Sequence, residues 1–232
     1  MVSSLGLLDG LTAAGIIISA ITFGSISLYQ GTKKQANLLK IAGLTMIFIG
    51  FLWLGPFADF LTLLFTGRNL NPIYLYGWLS YLWVGPVVIT AMYIGTELIA
   101  PDRKKIILGI YTVFVIIFEL FLFLDVSGTF IFELNNPGQD LIDGSLQRLS
   151  VPFFLMVFFQ ITAIIFLVIG FAIKAKQSVG EIRRKFAFLS LGFLIFALCS
   201  TLDTIVPPGI AIGFVRGVMM TFALWMYLGL KT

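Results

Sequence analysis

Four ionisable side chains stand in stretches of the sequence that are otherwise apolar: Asp59, Glu119, Asp203 and Arg216. Charged groups are costly in lipid, and inside membrane helices they mark ligand sites, ion paths or ion pairs. Asp203 and Arg216 lie on either side of a two-proline turn at positions 207 and 208. Because so short a turn makes the flanking helices antiparallel neighbours, we expect these two side chains to be within reach of each other.

Three interpretations of these charges are open. The first is a structural ion pair between Asp203 and Arg216 that locks two helices together. The second is a polar cavity, open to the outer side of a membrane, in which Asp59, Glu119, Asp203 and Arg216 contact a small ligand. The third is a path for protons or ions. Since carboxylates outnumber Arg216, a cavity of this kind favours a cationic ligand or a carboxyl group that stays protonated.

The composition around these residues is that of an integral membrane protein. Hydrophobic residues make up 59% of the 232 residues and charged residues 11%, whereas a soluble domain has roughly 25% charged residues. A helix needs about 20 apolar residues to cross a bilayer. Seven such helices are predicted, at residues 11–29, 41–65, 77–100, 106–124, 149–173, 186–206 and 209–230. The predicted fold class is therefore all-α, a single domain (1–232) that forms a bundle of seven transmembrane helices.

Basic residues in the connections predict the orientation of this bundle. They cluster at residues 33–40, 103–105 and 174–185, in every second connection, and again at Lys231. The positive-inside rule then places the N-terminus outside and the C-terminus in the cytoplasm of a multi-pass cell-membrane protein. The basic connections would face anionic lipid headgroups or an acidic cytoplasmic signalling partner. The longest connection, 125–148, is acidic and could form a short strand or lid at 129–134.

Histidine is absent and Cys199 is the single cysteine. The composition therefore argues against histidine-ligated haem, membrane zinc hydrolases and Ser–His catalysis, all of which need histidine. We expect no enzymatic activity, no metal and no cofactor. Because the basic residues follow the membrane topology, we also expect no nucleic-acid binding.

Small residues and prolines predict how the helices pack and bend. Two small-residue faces predict close helix contacts, one at Ala13, Ala20, Gly24 and Ser27 and one at Gly209, Gly213 and Gly217. Pro56 and Pro86 predict kinks within the second and third helices. Gln160 is expected to form a hydrogen bond to a neighbouring helix.

Residues 33–125 combine a short basic loop, a basic break and aromatic or proline residues in apolar helices, at Trp53, Trp78, Tyr81, Pro86 and Tyr93. In these features the stretch resembles the N-terminal seven-helix sensor region of prokaryotic histidine kinases. The resemblance implies a membrane sensor that passes a signal inward. No kinase or dimerisation helix follows, so the signal would go to a separate partner or through a longer natural chain.

The seven-helix architecture is also similar to that of microbial rhodopsins. A retinal Schiff base needs a lysine in the seventh helix, where this chain has Arg216 and no lysine before Lys231. We therefore expect a receptor-like sensor that binds a small ligand in an outward-facing polar pocket. A transporter or ion-conducting protein is the second hypothesis and a structural subunit of a membrane complex the third, and a homo-oligomer is left open.

Overall fold

The computed structural model of the protein describes residues 2–207 and 209–231, so Pro208 of the predicted two-proline turn lies outside the described residues. The helices are α1 (Ser4–Lys33), α2 (Asn37–Phe51), α3 (Leu54–Thr66), α4 (Tyr74–Tyr81), α5 (Val84–Ile99), α6 (Lys104–Leu124), α7 (Val126–Thr129), α8 (Val151–Ala163), α9 (Gly170–Gln177), α10 (Gly180–Ile205), α11 (Ile210–Met219) and α12 (Phe222–Leu230). A π-helical turn, Ile164–Ile169, joins α8 to α9. Strands β1 (Phe130–Glu133) and β2 (Asp143–Leu146) form an antiparallel hairpin.

Helices of membrane-spanning length and apolarity dominate the described residues, which confirms the predicted all-α membrane fold in its coarse form. The part of the chain that the structure describes has six candidate spans, at Ser4–Lys33, Tyr74–Ile99, Pro101–Leu124, Val151–Gln177, Gly180–Ile205 and Ile210–Leu230. A seventh results if α2 and α3, which are bent by 47° at their junction, count as one span. Buried apolar side chains form one core that includes residues of α1, α2, α10 and α12, and a second that includes α5, α6 and the hairpin.

The first helix begins earlier than its predicted start at residue 11. Ser3 is the N-cap of α1, and its hydroxyl accepts a hydrogen bond from the backbone N–H of Gly6 at 2.9 Å. A serine in this position satisfies one of the free N–H groups at a helix start. The extension places Asp9 inside the helix, where it becomes part of the site described below.

Proline breaks two of the predicted helices. Pro56 has no N–H group, so the carbonyl four residues before it loses its helical donor. The chain leaves the helix at residues 52–53, between α2 and α3. The same happens at residues 82–83, between α4 and α5 and four residues before Pro86. The predicted kink at Pro56 is present as a bend of 47°, whereas Tyr74–Ile99 remains one span that is interrupted at residues 82–83.

Both breaks fall in copies of one sequence pattern, Leu-Trp-Leu-Gly-Pro at 52–56 and Leu-Trp-Val-Gly-Pro at 82–86. The glycine of the first copy, Gly55, lies so close to Ser80 and to the backbone of Tyr76 that a side chain would collide with them. This contact packs the beginning of α3 against α4, and so holds the two broken helices side by side.

The small-residue face of α1 packs as predicted, with Ala13, Ala20 and Ser27 fully buried. Its partner is α2, where Gly43 meets Gly24 so closely that a Cβ atom on Gly43 would lie 2.7 Å from the carbonyl oxygen of Gly24. Close backbone contact of this kind drives helix association in membranes.

In the seventh predicted helix, glycine packing is confirmed only in part. A Cβ atom on Gly213 would lie 2.6 Å from the side chain of Leu8, so this glycine does pack against α1. A Cβ atom on Gly217 would meet no other described helix within 4 Å, so the prediction of a helix contact there is wrong. The spacing of the glycines could not reveal which of them faces a helix.

We expect Gly43→Ala to lower the free energy of unfolding by about 1–3 kcal/mol, because the added methyl group must push α1 and α2 apart. The matched control is Gly109→Ala in α6, where the new Cβ would have no other described helix within 4 Å. That control should be neutral or slightly stabilising, since alanine favours helix more than glycine does. Unfolding in detergent measures both variants, and equal effects would contradict the assigned contact.

The β1–β2 hairpin forms a lid, residues 130–146, over one end of the bundle. The strand predicted at 129–134 is present as β1. The loop between the strands is fixed by hydrogen bonds to the chain start and to the connection after α3. The N–H of Ser3 donates to the carbonyl of Gln139 at 2.9 Å, and the amide of Asn69 donates to the carbonyl of Asp140 at 2.8 Å. These contacts set the position of the lid above the site.

Candidate ligand-binding site

A polar cavity of about 300 Å³ lies beneath the lid. It occupies the end of the bundle where α1, α4, α8 and α11 begin and α10 ends. The clusters of Lys and Arg lie in connections at the opposite end, which we call the basic end. Among the described residues, six acidic or basic side chains line the polar cavity: Asp9, Glu133, Asp143, Arg148, Asp203 and Arg216.

An ion pair between Asp203 and Arg216 forms one wall of the polar cavity and confirms the predicted contact. Arg216 donates from Nε to Asp203 Oδ1 at 2.7 Å and from Nη2 to Asp203 Oδ2 at 3.5 Å. A third group joins them, since Arg216 Nη1 lies 3.5 Å from Asp9 Oδ1. Arg216 is only 8% exposed. The arrangement therefore ties α10 and α11 to the start of α1.

Asp59 does not line the polar cavity, which corrects its predicted place in the pocket. Its carboxylate is fully buried and accepts hydrogen bonds from the N–H groups of Leu70 at 2.6 Å and Ile142 at 2.8 Å. The side-chain amide of Asn69 donates to the same carboxylate at 3.2 Å. With its lone pairs occupied in this way, Asp59 joins the connection after α3 to the lid and has no free face for a ligand.

Glu119 is also outside the polar cavity, so its predicted place is corrected as well. It projects from α6 toward the first turn of α5, where its Oε1 would lie 3.0 Å from a Cβ atom on Gly85. Both carboxylate oxygens are shielded, and neither makes a well-aligned hydrogen bond with a described residue, although the backbone of Gly85 lies beside them. A helix start carries positive partial charge, which attracts a carboxylate. The break before α5 explains why this glutamate is tolerated among apolar residues.

Aromatic side chains that were not predicted as site residues line the polar cavity beside the charges. Tyr76 and Tyr81 come from α4, and Trp53 comes from the break between α2 and α3. Tyr76 is 6% exposed, and its hydroxyl forms no hydrogen bond with any described residue. The repeated Leu-Trp-x-Gly-Pro pattern could have pointed to this region, since Trp53 lies in the first copy and Tyr81 directly precedes the second.

Two carboxylates of the lid face each other across the hairpin. Glu133 and Asp143 are directly paired in the strand register, and both line the polar cavity. Like charges in this position destabilise a hairpin. Burial raises the pKa of Asp143, and the Glu133 charge raises it further, although Arg216 acts in the opposite direction. Within the described parts of the chain, neither carboxylate forms an ion pair.

Gln160 and Phe196 lie at the inner limit of the polar cavity. Gln160 donates hydrogen bonds to the carbonyl of Ala197 at 2.9 Å and to the hydroxyl of Ser200 at 3.0 Å, which confirms its predicted link to a neighbouring helix. Gln160 and Phe196 also line two small apolar cavities of about 30 and 40 Å³. The polar lining of the large cavity thus ends at this level.

In the parts of the chain that the structure describes, no three His, Cys, Asp or Glu side chains are grouped closely enough to hold a metal ion. The chain matches no protein-family model, and no curated protein is significantly similar to it in sequence. Function is therefore inferred from the polar cavity and from the helices that surround it.

Proposed function

We propose that the protein is a receptor-like membrane sensor of seven spans that binds a small ligand in the polar cavity and signals to a separate partner. The observation that carries this proposal is the polar cavity itself, whose volume of about 300 Å³ suits a small molecule. Charged and aromatic side chains converge on it from several helices and from the lid. An arrangement that served only to lock two helices would not need this space.

The proposed orientation is supported by the charges at the two ends of the bundle. Counting α2 and α3 as one span gives seven, and an odd number places the termini on opposite sides of the membrane. The clusters of Lys and Arg favour a cytoplasmic location for the basic end. The polar cavity then opens to the outside, where a sensor would meet its ligand.

Helix α10 offers a mechanical link between the two sides. The helix has 26 residues, and the distance along it from the basic cluster at 183–185 to Asp203 in the cavity wall is about 30 Å. A ligand that displaces the Asp203–Arg216 pair would change how the end of α10 packs against α11. Because a continuous helix is stiff, this change would shift the basic end of α10, where a cytoplasmic partner or anionic lipid would respond.

A transporter is the second candidate, and the broken helices favour it. Both breaks line the polar cavity, through Leu52 and Trp53 on one side and Tyr81 and Val84 on the other. In many transporters, discontinuous helices form the substrate site near the middle of the membrane. The two candidates share the binding site and differ in whether the ligand crosses the bilayer.

Ligand binding is tested by a substitution that fills the polar cavity with a large side chain. A screen of small polar molecules in detergent, read as a rise in melting temperature, should yield ligands whose effect is lost in Ser145→Trp. Ser145 belongs to the lid and lines the polar cavity. The matched control is Ser178→Trp, in the connection between α9 and α10 at the basic end, which should keep the ligand response. If every stabilising molecule acts equally on both variants, the cavity is not a ligand site and a structural subunit becomes the better interpretation.

Two further measurements separate the candidates once such a ligand is known. If the protein is a sensor, adding the ligand should change hydrogen exchange at residues 174–185. Proteoliposomes that contain the protein should then take up no ligand. For a transporter, proteoliposomes should take up the ligand, and Ser145→Trp should stop the uptake. Uptake would contradict the sensor proposal while leaving the binding site in place.

A further inference from the structure

We infer that the polar cavity takes a small organic cation, held by the lid carboxylates Glu133 and Asp143 and by the rings of Tyr76 and Tyr81. This inference rests on the proposed function and names the class of ligand that the same site binds. Four features carry it: the charge balance, the unpaired lid carboxylates, the aromatic lining and the Tyr76 hydroxyl, which borders the polar cavity and has no partner among the described residues.

The charges that line the polar cavity do not balance. Four carboxylates face two guanidinium groups. Arg216 is already engaged by Asp203 and Asp9, at 2.7 and 3.5 Å. Arg148 and Glu133 are both exposed, and neither forms an ion pair with a described residue. A bound cation would offset the excess of negative charge, whereas an anion would add to it.

The lid carboxylates supply the place for that cation. Glu133 and Asp143 lie opposite each other in the hairpin register, on the side that faces the polar cavity. Their mutual repulsion disfavours the hairpin as it stands. An ammonium group between them would turn this repulsion into two favourable contacts, so binding of the cation and closure of the lid would support each other.

The aromatic lining is independent of the charge balance and points to the same class of ligand. The faces of tyrosine and tryptophan rings attract organic cations, and aromatic cages are a common way to bind quaternary ammonium groups. Tyr76, Tyr81 and Trp53 all line the polar cavity. The hydroxyl of Tyr76, on a side chain that is 6% exposed, has no hydrogen-bond partner among the described residues. This hydroxyl is not among the shielded side-chain atoms that lack a partner, so it is open to the polar cavity, where a ligand would reach it.

Three probes of nearly equal shape test the sign of the charge. Choline carries a positive charge, 3,3-dimethyl-1-butanol is its neutral carbon analogue, and 3,3-dimethylbutyrate carries a negative charge. Each is titrated by calorimetry into the purified protein in an uncharged maltoside detergent. We expect choline to bind in the millimolar range or tighter, and the neutral and anionic probes to bind at least about tenfold more weakly.

Variants then locate the bound cation. The double variant Glu133→Gln with Asp143→Asn keeps the shape of the lid and should weaken choline binding by about tenfold or more. Asp102→Asn is the matched control, an exposed carboxylate at the basic end, and should leave binding unchanged. Melting temperatures show that each variant is folded. Unchanged choline affinity in the double variant would overturn the assigned contacts.

The remaining outcomes separate this inference from the proposed function. If 3,3-dimethylbutyrate binds more tightly than choline, the cationic class is overturned while the binding site stands. The same holds if no probe binds but the screen finds a ligand of another class that is lost in Ser145→Trp. If no probe binds and no ligand sensitive to Ser145→Trp exists, both proposals fail.

Discussion

Replacing Arg216 by methionine should lower the free energy of unfolding by about 3–5 kcal/mol, the typical cost of removing one partner from a buried ion pair. Asp203 and Asp9 would then face each other without a cation, in a site where the side chains of Asp203 and Arg216 are only 15% and 10% exposed. Because each carboxylate is only partly exposed to the polar cavity, solvation offsets only a part of the lost attraction. Unfolding of the purified protein in mixed micelles measures the loss.

A second substitution distinguishes the loss of the ion pair from a non-specific loss of stability. Adding Asp203→Leu to Arg216→Met removes the stranded carboxylate, and the double variant should regain a large part of the lost stability. The control Arg103→Met, at an exposed position of the basic end, should change stability little. A loss below about 1 kcal/mol for Arg216→Met would show that the pair behaves like an exposed one.

Asp59→Ala should cost about 3 kcal/mol or more, since several charge-assisted hydrogen bonds to one buried carboxylate would be lost and their donors left unsatisfied. The N–H groups of Leu70 and Ile142 lie 2.6 and 2.8 Å from that carboxylate. Asp59→Asn should be intermediate, because an amide keeps one acceptor oxygen. Thermal unfolding of both variants gives the ranking.

Hydrogen exchange provides a local measure of the same change. The amide of Ile142 should lose much of its protection in Asp59→Ala, because its acceptor is gone, and the lid should loosen with it. Asp102→Ala removes an exposed carboxylate at the other end of the bundle and should affect neither stability nor exchange at Ile142. Full protection of Ile142 in Asp59→Ala would show that the lid is held by other contacts.

The sequence predicts well what depends on local composition. Apolar stretches of sufficient length mark the helices, and a short turn between Asp203 and Arg216 places two opposite charges at one level. The prolines at 56 and 86 mark the breaks, because the loss of an N–H group is a property of the residue itself. In each of these cases the cause lies within a few positions of the effect.

The rest of the site could not be predicted, because it depends on contacts between distant parts of the chain. Asp59 has the same apolar sequence context as Asp203, yet its donors include the N–H of Ile142, which is 83 positions away. In the sequence, Glu133 and Asp143 are two of several acidic residues in a long connection. Only the hairpin register shows that the two are paired and face the polar cavity. Asp9 could have been recognised from the capping signal at Ser3, which extends the first helix past its apolar stretch.

The contact between the chain start and the lid has a practical consequence for the preparation of the protein. Ser3 donates its N–H to the carbonyl of Gln139 at 2.9 Å, and its hydroxyl donates to the carboxylate of Asp140. An affinity tag fused directly before Ser3 would emerge beside the lid and compete with these bonds. A tag placed after Lys231 emerges at the basic end, away from the polar cavity, and is the better choice for measurements of binding.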